Sequence, residues 1–216
     1  MKHTPGIQTS LLVITILAAF GSCKYDSIQL PKGNYFPLEN NTEWVYQRKL
    51  GYNEADSSIW SMDTLSNKVG GDTLVGGKMY KIILGADDNI EKVIRVDGNQ
   101  YFGRRHELYG SFANEYMFLD TDKPVGSSWI YFKDDSTRQT EYIIKAKNSK
   151  HIISGKVFEY VIELEVNYYY KELDRFKYWL TTKHYYAKDV GEIYTFYPYP
   201  VSGFYSNSSL FLIANK

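Results

Sequence analysis

Few side chains in this sequence can do chemistry on their own. Cys23 is the only cysteine among 216 residues, so no internal disulfide can form and its sulfur is the single soft nucleophile present. It follows Gly21-Ser22, which ends an apolar run of ten residues from Leu11 to Phe20, and Lys2 and His3 lie ahead of that run. A basic start, an apolar core and small residues are the order of a secretory signal, with the cut placed just before Cys23. The run is too short to span a bilayer, which takes about 20 apolar residues in a helix.

Other reactive groups are scattered. His106, His151 and His184 show no metal-ligand spacing, and neither an HExxH nor a GxSxG pattern occurs. We therefore assign no catalytic residue, no metal and no cofactor from sequence. His184, between Lys183 and Tyr185, reads as a wet strand residue. Asp87-Asp88-Asn89 and Asp120-Thr121-Asp122 bring oxygens together but lack the spaced carboxylates and glycine of a calcium loop, and read as solvated turns. Aromatic side chains are the larger resource, tyrosine leading with 21. Tyr197-Pro198-Tyr199-Pro200 is stiffened by its prolines, and Phe204-Tyr205 follow Gly203. Rigid rings on a loop lose little entropy when a ligand stacks on them. Tyr197, Tyr199, Phe204 and Tyr205 are thus the candidate ligand-binding residues, with Tyr168-Tyr169-Tyr170 as a second group. The alternative is that these rings cap one end of a sheet.

Charge narrows the partners. Lys and Arg total 25, as do Asp and Glu. Cleavage before Cys23 removes only Lys2 among them, so the remainder stays within one charge of neutral. A chain without a basic surplus does not neutralise phosphates, which argues against nucleic acid as a partner.

The elements that must position these groups are strands. Over Val157–Tyr170, Phe158, Tyr160, Ile162, Leu164 and Val166 alternate with Glu159, Glu163, Glu165 and Asn167. A period of two predicts a sheet with one wet face, as in antiparallel sheets. Residues 171–175 then read as a turn, with Phe176, Tyr178 and Leu180 resuming the alternation. Asp97-Gly98 predicts a tight hairpin. Ser154-Gly155 predicts a turn before the long strand, Gly70-Gly71 and Gly76-Gly77 bracket a short strand, and Lys78–Leu84 reads as the next. Trp44 and Tyr46 share a face of an opening strand over 42–50, and Leu210–Ala214 is apolar enough to be central. Helix signals are poor; 106–118 could hold a turn or two, interrupted by Gly110. The expected fold class is all-β: an antiparallel curved sheet, as a half-barrel or barrel-like sandwich, with at most one short helix. The expected division is a signal peptide over 1–22, Cys23 with a tether over 23–34, and a single antiparallel β domain over 35–216.

Two resemblances sharpen this. The segment ending in Cys23 resembles the lipobox of bacterial lipoproteins, in the looser form found in Bacteroidota, with Phe20 where leucine is common. The resemblance implies that the Cys23 sulfur takes a lipid, so the chain is anchored to the membrane rather than crossing it. Tyr35-Phe36-Pro37-Leu38 with Trp44-Val45-Tyr46, Gly77-Lys78-Met79-Tyr80, Pro124-Val125-Gly126 with Trp129, Gly155-Lys156-Val157-Phe158 and Tyr185-Tyr186-Ala187-Lys188-Asp189-Val190-Gly191 resemble, in order, segments of uncharacterised Bacteroidota envelope lipoproteins. In those proteins a glycine is usual where Asp189 stands. The family implies a curved antiparallel sheet and no established activity. Asp-Ser/Thr steps at Asp26-Ser27, Asp63-Thr64, Asp72-Thr73 and Asp135-Ser136 resemble O-glycosylation acceptors of the same envelopes. The functional expectation is a lipid-anchored, non-enzymatic envelope protein, placed at the outer membrane, that binds a glycan or an apolar ligand. The alternative is an envelope hydrolase acting on glycans or esters.

Overall fold

A computed structural model describes residues 33–51, 61–107, 111–132, 137–201 and 204–215, with backbone alone for 199–201 and 204–207. Cys23 lies outside the described residues.

Twelve strands follow one another: β1 (Glu43–Leu50), β2 (Ser61–Val75), β3 (Lys78–Leu84), β4 (Ile90–Asp97), β5 (Gln100–Arg105), β6 (Tyr116–Asp120), β7 (Ser128–Phe132), β8 (Arg138–Ile153), β9 (Lys156–Glu172), β10 (Arg175–Ala187), β11 (Gly191–Val201) and β12 (Phe204–Asn215). The helical content of the described residues is one 3-10 turn, Ala86–Asp88. All strands join one antiparallel sheet, ordered β6-β5-β4-β3-β2-β1-β12-β11-β10-β9-β8-β7, and the sheet curls into a nearly closed barrel. The first and last strands pair with each other, Tyr46 opposite Leu212. The break falls mid-chain, between β6 and β7. Side chains bridge that break: the Trp129 indole N–H donates to the Met117 carbonyl at 2.8 Å, and the Tyr116 and Tyr131 rings meet at 5.6 Å. An edge carbonyl thereby finds a partner.

The inward faces make the core. Trp44 is 1% exposed, and Ile144, Ile162, Leu164 and Leu212 are as fully buried. The segment before β1 plugs one end: Tyr35 and Phe36 are buried, the Tyr35 N–H donates to the Tyr101 hydroxyl at 2.8 Å, and the Phe36 ring lies 5.0 Å from Trp44. The plug is latched to the turn after β10. Asp189 N–H donates to the Asn34 carbonyl at 2.6 Å, and the Asp189 carboxylate accepts from the Asn34 N–H at 3.0 Å. Asp189 sits at φ 58°, a left-handed conformation that aspartate tolerates better than most residues. One residue on, the Trp44 indole donates to the Val190 carbonyl at 2.6 Å. Gly191 has φ 104°, and a Cβ there would lie 2.8 Å from that indole nitrogen. The opening and closing segments singled out in the sequence are thus one packed unit.

Several strand readings need correction. Tyr160 does not share a face with Phe158. It sits at φ 54° and is 46% exposed, because two β9 residues oppose one β8 residue between Ser149↔Val161 and His151↔Phe158. A second irregularity, with Asn148 at φ 59°, restores the register on the β8 side. Trp179 is likewise an extra residue in β10, which leaves Tyr178 exposed. Gly70-Gly71 does not end a strand; it is an irregularity inside the 15-residue β2. The Asp97-Gly98 hairpin turns at Gly98-Asn99, with Asp97 still paired to Gln100. No described part of 106–118 is helical: His106 bridges Phe112, and β6 begins at Tyr116. The sandwich alternative gives way to one curled sheet.

Gly191→Ala should lower the unfolding free energy by about 2 kcal/mol or more, from left-handed strain and collision with Trp44. Trp44→Phe should cost stability alone, yet the double variant should cost less than the two single losses together. A denaturant-melt double-mutant cycle reads this coupling, and strict additivity would contradict the contact.

Candidate functional site

Inside the barrel lies a cavity of about 300 Å³. Apolar walls come from Phe36, Ile94, Phe118, Leu164 and Val166, and polar ones from Glu91, Lys92, Arg105, His106, Tyr116, Tyr142, Tyr168, His184, Tyr186 and Glu192. Its volume sits at the small end of ligand pockets.

The polar groups form an ordered chain toward the plugged end. His184 Nδ1 lies 2.7 Å from Glu192 Oε1, His184 Nε2 lies 2.9 Å from Thr182 Oγ1, and the Thr195 hydroxyl donates to Glu192 Oε1 at 2.9 Å. The Tyr46 hydroxyl donates to the Glu192 carbonyl at 3.1 Å. Register explains the convergence: Tyr186 lies opposite Glu192, and an irregularity one step later sets Tyr185 opposite Tyr194. Glu192 therefore faces inward beside His184. Burial alone would push its carboxyl up, but the hydrogen bond and electrostatic pull of His184, then Lys92 and Thr195, bring it down to about 2. Burial raises the phenols instead: Tyr142 and Tyr186 go well above the ordinary value and Tyr168 to about 12. At neutral pH these phenols are hydroxyl donors in the cavity that holds the Glu192 carboxylate.

The spacing of Thr182, His184 and Glu192 has the outline of a nucleophile–base–carboxylate relay. Access argues otherwise. Thr182 is 0% exposed, and its hydroxyl is held by both Tyr168 and His184. A buried hydroxyl hydrogen-bonded on both sides holds two side chains in place and is not presented to a substrate.

Arg105 occupies the other side. It follows Tyr101, the anchor of the plug, by four positions, and both lie on the inner face of β5, so it stands about 13 Å further along the barrel. It is exposed, whereas the His184 and Glu192 side chains keep 19% and 15% exposure. Gly103, between Tyr101 and Arg105, has no Cβ to displace the Tyr116 ring, which passes 3.0 Å from where one would be. Tyr116 consequently reaches Arg105 and hydrogen-bonds it.

The residues expected from sequence map onto this site unevenly. Tyr197 is on a strand rather than a loop: β11 and β12 pair from Tyr194↔Phe211 through Val201↔Phe204. Its ring meets Tyr168, a cavity residue, at 6.3 Å. Tyr199, Phe204 and Tyr205 belong to the same paired ribbon, and their side chains lie outside the described residues. The Tyr168-Tyr169-Tyr170 triplet splits by strand alternation: Tyr168 lines the cavity, Tyr169 donates to Glu141 at 3.0 Å, and Tyr170 is exposed. His184 is not a wet outer residue but an interior one. His151, by contrast, pairs with Glu163 at 2.8 Å away from the cavity. Asp120 is a buried structural acceptor for Gln100 and for the Asp122 N–H. Among the described residues, no cluster of His, Cys, Asp or Glu has the arrangement to hold a metal ion. Arg105 and Glu192 escaped sequence reading; the alternation of β10, which sets His184 two residues from the core positions Thr182 and Tyr186, was the one available signal.

No protein-family model matches the chain, and no curated protein matches it. Among solved structures it is similar to a candidate lipoprotein of Parabacteroides distasonis, at 13% identity and a TM-score of 0.43. It is also similar to a candidate exported protein with a YmcC-like fold from Bacteroides fragilis, at 10% identity and a TM-score of 0.48. Each likeness covers 86% of this chain and all of the other.

Glu192 sets a pH signature. Its folded-state value of about 2 lies below the ordinary 4.5, so its contribution is complete above pH 4.5 and is lost as pH falls toward 2. The same holds for Glu115, held at about 2 outside the cavity despite burial, by Arg95, Lys78 and Tyr80. Wild-type stability should drop by a few kcal/mol across that window. Glu192→Gln should be less stable at pH 7 and show a shallower acid decline in urea melts; an identical slope would refute the assignment.

Proposed function

We propose that this chain is a lipid-anchored envelope protein that holds a small ligand in its barrel without transforming it. The observation that carries the reading is the preformed cavity, plugged at one end by Tyr35-Phe36, with aromatic walls and neutral hydroxyls turned inward. Small-molecule sites combine apolar surface with placed polar groups, and this cavity has both. The order of basic, apolar and small residues before Cys23 supports export and acylation, with the outer membrane as destination. The aromatic ribbon around Tyr197 joins the same reading, since it touches the cavity through Tyr168.

Hydrolysis of a glycan or ester is the second reading, favoured by the Thr182–His184–Glu192 spacing and by two carboxyl groups, Glu91 and Glu192, on one cavity. Glycoside cleavage by a carboxyl pair needs one acid raised toward neutrality. Glu192 is shifted the opposite way and fits only the ionised member of such a pair, and Thr182 is inaccessible. Binding is therefore the better fit.

Two measurements test this. Radiolabelled palmitate should enter the wild-type chain and not Cys23→Ser, and equal labelling would refute acylation at this residue. Organic extraction of the chain purified from its native envelope, followed by mass spectrometry, should release a small molecule at near-stoichiometric amount. Val166→Trp, which fills the cavity, should reduce that yield severalfold at an unchanged fold by circular dichroism. Release that is absent, or equal from both proteins, would overturn the binding reading.

A further inference from the structure

The charges on the cavity are unevenly matched. Glu192 has His184, Thr195 and Lys92 acting on it. Arg105 has no carboxylate within ion-pair distance among the described residues. The groups that act on its guanidinium are three phenols, those of Tyr116, Tyr168 and Tyr142. Lys92, directly opposite it on β4, points its ammonium toward the Phe36 ring at 5.8 Å. A guanidinium that shares a cavity with three phenols, one of them hydrogen-bonded to it, can receive an anion, because its planar fork offers parallel N–H donors and a phenol adds an O–H.

We infer that the ligand of this cavity is a small amphipathic monocarboxylate, its carboxylate held by Arg105 and Tyr116 at the exposed side and its apolar body lying against Phe36, Phe118, Leu164 and Val166. This rests on the reading of the cavity as a ligand site. The single charge follows from the surroundings: Glu91 and Glu192 line the same space and repel a dianion such as a phosphate monoester, while one guanidinium neutralises one carboxylate. The orientation follows from exposure. Arg105 is open to solvent, so the head keeps part of its hydration, while Phe36, Phe118, Leu164 and Val166 are buried and give the rest of the molecule apolar surface. The volume of about 300 Å³ suits a medium-length chain or an aryl acid and excludes a two-chain lipid.

Isothermal titration of the full chain with decanoate, 1-decanol and decylamine tests the assignment. Decanoate should bind about tenfold or more tighter than decanol, the scale of one charge-assisted hydrogen-bonded contact, and decylamine should bind weakest. Arg105→Gln should bring decanoate down to the level of decanol and leave decanol unchanged, with an unaltered melting temperature. Arg105→Lys, which keeps the charge but loses the fork, should fall between. Should Arg105→Gln fail to fold, Tyr116→Phe provides the same reading, with a severalfold loss for decanoate alone. Equal binding of decanoate and decanol by the wild type would overturn the anionic head while leaving the cavity as a binding site. Loss of decanoate binding in Lys92→Gln but not in Arg105→Gln would also overturn it. Failure of all three probes to bind would overturn it too, and the cavity reading would then stand or fall on the extraction experiment.

Discussion

The contact between Trp44 and the turn at Val190-Gly191 is the constraint on which the barrel depends. It joins the first strand to a turn 146 residues later through a hydrogen bond from the indole to the Val190 carbonyl. It demands a residue without a side chain at 191. It also fixes where the plug enters, because Phe36 packs on the same indole and Asn34 exchanges hydrogen bonds with Asp189 next door. Once this corner is set, β1 lies beside β12 and the interior is sealed at one end. Asp189 can occupy a left-handed position where the resembling proteins carry glycine because its carboxylate gains the Asn34 N–H.

The strand architecture was readable in the sequence, since side-chain alternation is a direct consequence of the pleat. Trp44 and Tyr46 fall inward as their spacing implies, and Leu210–Ala214 lies in a strand flanked on both sides. Alternation fails wherever an extra residue enters. Tyr160 looks like a core tyrosine by parity, and only the opposing strand reveals that β9 carries one residue too many there. Trp179 misleads in the same manner. Such irregularities are properties of a pair of strands, and a single strand's sequence does not contain them.

The site was less legible for a related reason. A lone polar residue in a strand reads as solvent-facing, as Glu192 does while facing inward, and only the parity of His184 with Thr182 and Tyr186 pointed the other way. What separates the two cases is a partner on another strand: Glu192 for His184, and Tyr116 for Arg105. These partners are brought together by curvature and register. Gly103 illustrates the point, since its value lies in the space it leaves for a ring on the neighbouring strand. The tyrosines were conspicuous in composition, but which of them turn inward depends on the same register.

The mid-chain position of the break in the sheet bears on how the protein assembles. Strands β1–β6 form one meander and β7–β12 another, each made of neighbours joined by local connections. Within each half the pairings are close in sequence and need little loop closure. The ladder between β1 and β12 is the exception, uniting residues near 45 with residues near 212. The molecule is therefore two locally built sheets stitched along one distant ladder. Forming that ladder is the step with the largest entropic barrier, and it is also the step that brings Phe36, Lys92 and Arg105 from one half into facing contact with Tyr142, Tyr168, His184 and Glu192 from the other. Neither half contains the cavity, so the chamber comes into being only when the two are joined.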